Sequence, residues 1–188
     1  MKKFTNIRPE EEKKFKKDDV LYSDEYLKVI KYEDWSILTG KDAVICIPYL
    51  IETNQFIIRQ EYIPPFKYVD SQEMHLACVG GAIEMGESIE VALLRELQEE
   101  AGLVLRDNYK FEFDKPLYFG KFTSMKIYPC ILPLNETDYH EIMIKGDGTK
   151  AENLSQTAKI DVKFLKSLNP SDVVTEFMLS KFKDYLNL

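Results

Sequence analysis

Residues 81–103, GAIEMGESIEVALLRELQEEAGL, hold a glycine turn, a run of strong helix formers and a second glycine, Gly102. At about 100° per residue, Glu96, Glu99 and Glu100 fall within roughly 100° of one another, with Leu94, Leu97 and Ala101 opposite them. The expected helix has an apolar back to bury and a carboxylate face to present. Ser88 is its expected N-cap, Glu90 suits the positive dipole end, and Gly102 supplies the left-handed residue that ends it. Three carboxylates this close repel, at about 0.2–0.5 kcal/mol for each i,i+4 pair. They also crowd the helix C-terminus, where the dipole disfavours negative charge. Stability alone does not select such a face. A divalent cation would turn the repulsion into a binding site, and hard carboxylate oxygens suit Mg²⁺ or Mn²⁺. On the helix alone, a solvated acidic face accounts for the pattern equally well.

The spacing extends beyond the helix. Gly81, Glu87, Arg95, Glu96, Leu97, Glu99, Glu100, Gly102 and Leu103 together resemble the Nudix box of the Nudix hydrolase superfamily, at every fixed position of that box. The resemblance implies an α/β chain folded as a Nudix-type α/β/α sandwich with a mixed sheet, preceded by a small antiparallel sheet. It implies Mg²⁺-dependent hydrolysis of the pyrophosphate bond in a nucleoside diphosphate derivative. Glu96, Glu99, Glu100 and the carbonyl of Gly80 become the expected metal ligands, with Glu99 and Glu100 also candidates for the chemistry. Arg95 is expected to hold a glutamate through a bidentate pair, and Glu87 to support the site from further out.

Two flanking segments bear on the substrate. Residues 42–51, DAVICIPYLI, read as a strand buried on both faces, and residues 55–62, QFIIRQEY, as its returning partner. Pro64-Pro65 ends that strand, and residues 66–74 read as a polar connection. RQEYIPPF resembles the corresponding segment of ADP-ribose and nucleoside diphosphate-sugar pyrophosphatases. Their usual arginine is Ile63 here, and a glutamate common just before the box is Ala77 here. Arg59, Glu61 and Tyr62 are the substrate-binding candidates, with Arg59 and Glu61 expected to be exposed at the strand's end. The same chemistry on nucleoside triphosphates, NADH or dinucleoside polyphosphates stays open, as does a nucleotide-binding module without turnover.

The remaining chain supplies supporting elements. Residues 20–39 read as two or three strands with a turn at Ser23-Asp24, and Trp35 reads first as core and second as lining a base pocket. Residues 75–82 read as one short strand. Residues 116–122 and 125–134 read as a hairpin whose Tyr118, Phe119 and Tyr128 are sheet core by default. Residues 135–153 form a polar loop. By the resemblance that loop carries a further catalytic glutamate, first Glu152 and second Glu141. Residues 160–165 read as the last strand, and Ser171 opens a C-terminal helix packed through Val173, Phe177, Phe182 and Leu186.

The expected organisation is an arm and small sheet over residues 1–40 and a hydrolase domain over 41–188. A net charge of −7 argues against nucleic-acid or anionic-membrane binding by bulk attraction, so a phosphate-bearing substrate needs local cations. No apolar run approaches the roughly 20 residues of a membrane span, and the N-terminus lacks the apolar core of a signal peptide. Cys46, Cys78 and Cys130 sit apart in apolar runs and read as buried free thiols in a reducing cytoplasm. The expected partners are a small nucleotide and, by the resemblance, a second copy in a homodimer.

Overall fold

The computed structural model describes residues 19–24, 27–70, 72–106, 109–144, 148 and 153–188. The expected N-terminal arm lies almost entirely outside them. The chain opens with strands β1 (Val20–Ser23), β2 (Leu27–Tyr32) and β3 (Trp35–Gly40), which form an antiparallel three-stranded sheet. At the β1–β2 turn, Asp24 accepts the Leu27 N–H on its carboxylate, as a short acidic side chain does in place of backbone. The other strands are β4 (Ala43–Leu50), β5 (Gln55–Tyr62), β6 (Met74–Ala77), β7 (Val79–Ala82), β8 (Leu103–Leu105), β9 (Leu117–Tyr118), β10 (Lys126–Leu134), β11 (Tyr139–Glu141) and β12 (Gln156–Asp161). The helices are α1 (Pro64–Asp70), α2 (Ile89–Ala101) and α3 (Val173–Tyr185).

The main sheet runs β12-β5-β4-β10-β9, with β10 parallel to β4 and the other pairs antiparallel, so it is mixed as expected. Strands β4 and β5 pair only beside their turn, at Tyr49–Phe56 and Leu50–Gln55. Beyond that point β6 pairs with β5 and β7 pairs with β4. The residues entering the box therefore arrive where the sheet splits.

Side-chain alternation sorts the core into two layers. Val44, Cys46, Ile57, Val79, Cys130 and Leu132 pack with Ala92, Leu93 and Leu97 of α2. Ile47, Phe56, Ile58 and Cys78 pack with Met178, Leu179 and Phe182 of α3. One helix on each face of a mixed sheet is the α/β/α sandwich. The three cysteines are free and buried, and burial pushes the Cys130 thiol up to about 12, so it stays protonated at neutral pH.

Several expectations need correcting. Pro64-Pro65 opens α1 where a polar connection is expected, because proline at a first helical position loses no hydrogen bond. Residues 75–82 form two strands, broken at Cys78, since β6 and β7 serve different partners. The last strand is β12, and residues 162–167 turn as a 3-10 helix capped by Asp161. Asp172, not Ser171, caps α3 by accepting the N–H groups of Val174 and Thr175. Val173 faces solvent, while α3 buries Thr175, Met178, Leu179 and Phe182, with Phe177 and Leu186 packed against the same cluster as expected. The hairpin partner of β10 shrinks to the two residues of β9, and β11 crosses the expected polar loop to pair with β8. Trp35, Tyr118 and Phe119 are exposed, so none is core.

Candidate active site

Helix α2 is built as its caps predict. The Ser88 hydroxyl accepts the Val91 N–H at 3.2 Å, and Gly102 closes the helix at φ 65° with its N–H on the Leu97 carbonyl. The buried face differs from the expected one. Leu93, Glu96, Leu97, Glu100 and Ala101 face inward at i, i+3, i+4, i+7 and i+8 spacing, while Leu94 is exposed. Glu96 and Glu100 are only 7% and 5% exposed, which excludes a solvated acidic face. Buried carboxylates need charge partners, and arginines supply them.

Arg95 is the hub. Its Nε and Nη2 donate to the two oxygens of Glu87 at 3.1 and 3.2 Å, the bidentate pair expected of it. Its Nη1 reaches Glu96 Oε1 at 2.6 Å and Glu99 Oε2 at 3.2 Å, and Nη2 also donates to the Ala82 carbonyl at 2.9 Å. One guanidinium thus ties the loop to the helix. Glu87 also accepts the Glu84 N–H at 2.9 Å. The Arg95 fork first, and that N–H second, hold the Glu87 carboxyl below the usual glutamate range. A depressed folded pKa gives stability that is complete above the unfolded value of about 4.3 and is lost as pH falls through the folded value. Glu87→Gln is therefore expected to lower the denaturant midpoint at neutral pH, with the gap to wild type closing in acid. A gap that stays constant from neutral pH to pH ~3 would contradict this.

Glu100 has different partners. It forms a buried ion pair with Arg59 and accepts the Gly80 N–H at 2.8 Å. Its backbone carbonyl accepts the Thr157 hydroxyl at 2.6 Å, so β12 secures the last turn of α2. Arg59 is not exposed at the strand's end as expected. It is 2% exposed and lies across from Ala77 and Thr157 in the sheet. The strand is buried on both faces from Phe56 to Arg59, so alternation alone gives no sign of which end is exposed. Thr157 and Lys41, which pairs with Glu84 at 2.5 Å, carry no sequence signal of their role.

Two glycines permit close approaches at the site, one by an acid and one by neighbouring backbone. A Cβ on Gly81 would lie 2.2 Å from Glu96 Oε1, so the carboxylate occupies the place of a side chain. A Cβ on Gly80 would lie 2.2 Å from the Val44 carbonyl oxygen. Gly80, Gly81, Ala82, Glu61, Glu84, Arg95, Glu96, Glu99 and Glu100 line one cleft of about 450 Å³. Tyr62 is not among those lining residues. Its N–H donates to the Ser155 hydroxyl at 3.2 Å, and Lys67 lies over its ring. Glu141 lies in β11 across from Leu103, pairs with Lys159 and does not line the cleft, and Glu152 lies outside the described residues. A larger groove of about 620 Å³, between residues 109–114 and α3, contains no box residue.

A three-layer sandwich whose loop–helix unit turns carboxylates into a cleft defines the Nudix hydrolase class. Residues 41–170 match the NUDIX domain, and the chain belongs to that family; it is a Nudix pyrophosphohydrolase. A crystal structure of an ADP compounds hydrolase superposes with TM-score 0.67 at 19% identity, covering 89% of this chain and 90% of that one. At that identity the likeness shows the fold. No curated protein matches the chain.

Proposed function

We propose that the chain uses Mg²⁺, with Mn²⁺ as a substitute, to hydrolyse the diphosphate of a nucleoside diphosphate derivative, ADP-ribose or a nucleoside diphosphate sugar first among them. The observation carrying this reading is the pair of buried glutamates, Glu96 and Glu100, beside half-exposed Glu99 on one cleft. Among the described residues no three His, Cys, Asp or Glu side chains already converge as they would around an ion. Instead, Arg95 holds Glu96 and Glu99, and Arg59 pairs with Glu100. The donor set still fits a hard cation, because every candidate ligand is an oxygen and Gly81 clears the space beside Glu96.

Glu96, Glu99, Glu100 and the Gly80 carbonyl would hold the cation. When bound, it supplies countercharge to the diphosphate and lowers the pKa of water. The chain's own residues do the rest. Arg95 orients Glu96 and Glu99 and anchors them to Glu87. Glu99, Glu100 or Glu152 accepts the proton as water oxygen adds to phosphorus and the bridging P–O bond breaks. A nucleoside monophosphate and a phosphorylated second half leave. Glu61, at the cleft wall, is the substrate-side residue, with Tyr62 beside it on β5. ADP-ribose leads because the flanking segment resembles ADP-ribose pyrophosphatases and the superposed structure is an ADP compounds hydrolase. A panel of nucleoside diphosphate derivatives, triphosphates, NADH and dinucleoside polyphosphates, assayed with Mg²⁺, tests the reading. Monophosphate release is expected from ADP-ribose or a nucleoside diphosphate sugar. Turnover confined to triphosphates would sink the substrate, and no turnover with any of them would sink the hydrolysis.

We assign the β1–β3 sheet as a homodimer surface. Leu21, Tyr22 and Trp35 are 58%, 55% and 58% exposed on it, apolar area that a second copy would cover. Sedimentation of wild type should show a dimer and Trp35→Glu a shift toward monomer. A monomeric wild type, or an unaffected Trp35→Glu dimer, would contradict the assignment.

A further inference from the structure

Strand β5 carries a row of three side chains on the α2 face: Ile57 in the core, Arg59 beneath the cleft and Glu61 in its wall. The middle one is a cation that the chain cannot expose. Arg59 is 2% exposed, and a buried guanidinium costs several kcal/mol unless a carboxylate answers it. Ala77, directly across the ladder, offers only a methyl group. Glu100, from the helix above, makes the ion pair, and it also accepts the Gly80 N–H at 2.8 Å. One glutamate therefore serves two demands: a fixed charge partner for Arg59 and an oxygen donor for a cation in the cleft.

We propose that Arg59 is a positioning residue that acts as the resident counter-cation of Glu100 and competes with the divalent cation for that carboxylate. The proposal rests on the cation-site reading above and adds a regulation to it. In the metal-free protein, Arg59 relieves the repulsion among Glu96, Glu99 and Glu100 and keeps Glu100 in place. When a divalent cation draws on the same oxygens, the Arg59–Glu100 attraction is shared, and that loss is subtracted from the cation's affinity. Arg95 differs because it is about a third exposed and divides its donors among three glutamates and a carbonyl. It can yield to a cation without leaving a charge buried.

The competition gives a signature that a purely structural residue does not. Arg59→Met should lower the thermal midpoint of the metal-free protein, since Glu100 then lies buried without its cation. It should also bind Mn²⁺ about tenfold more tightly than wild type, the scale of a typical coupling between two bound groups. Arg59→Lys, which keeps the charge on a shorter reach, should fall between them and guards against a methionine variant that does not fold. The test is Mn²⁺ titration followed by electron paramagnetic resonance, with thermal melts of the metal-free and Mn²⁺-loaded full chain. Tighter binding together with lower metal-free stability supports the proposal. Wild type binding Mn²⁺ and the Arg59 variants binding it equally or more weakly overturns it while leaving the cation site standing. No Mn²⁺ binding by wild type overturns both.

Discussion

Glu99→Gln is expected to lower Mg²⁺-dependent diphosphate hydrolysis by about 10²–10³-fold, the scale of losing one preorganised charge contact in a site, while leaving the fold intact. Glu99 is the cleanest of the three acids to test. Its side chain is 34% exposed and accepts a 3.2 Å hydrogen bond from Arg95. An exposed pair of this kind contributes about 0–1 kcal/mol, so the denaturant midpoint should barely move. Glu100 would confound the result, because its removal also takes away an ion-pair partner of buried Arg59. Steady-state rates with a diphosphate substrate, alongside an unfolding curve for each protein, make the comparison. A rate within tenfold of wild type would remove Glu99 from the chemistry.

The second large effect is on stability. Gly80→Ala is expected to cost about 3 kcal/mol, the upper part of the range for overpacking a tight site. A new Cβ would stand 2.2 Å from the Val44 carbonyl oxygen and 2.8 Å from the Ile45 Cα, both backbone atoms that cannot swing aside. Gly80 pairs with Ile45 in the β4–β7 ladder, so the clash opens the sheet where the box begins. For a chain of this size that corresponds to a fall of roughly 6–12 °C in melting temperature. Gly86 is the control: it also has positive φ, at 82°, but nothing lies within 4 Å of its Cβ position. Gly86→Ala should cost only the backbone term of about 1–2 kcal/mol for a side chain at positive φ. Equal losses at the two glycines would contradict the packing argument.

The sequence shows its box helix clearly because the caps at both ends bracket a run of strong helix formers. Ser88 and Gly102 do what their side chains allow, and strands β4 and β5 follow their apolar runs. The errors have physical causes. Reading the greasy face of α2 from apolar residues alone selects Leu94. The real core stripe includes two glutamates, which burial tolerates only because arginines neutralise them. The charge of Arg59 points to exposure, but the strand is buried on both faces there and a carboxylate from α2 answers the charge. Trp35, Tyr118 and Phe119 show the converse: an aromatic side chain promises burial, but what covers it depends on long-range packing that local sequence does not encode. Pro64-Pro65 ends a strand and starts a helix at once, and only the first half was visible.

The account depends most on the acidic residues of α2 forming a cation site. Crystals soaked in Mn²⁺ and measured at its absorption edge would test this directly. An anomalous peak in the cleft in contact with oxygens of Glu96, Glu99 and Glu100 is the expected result. A well-ordered cleft with no peak there, under conditions that support turnover, would contradict it.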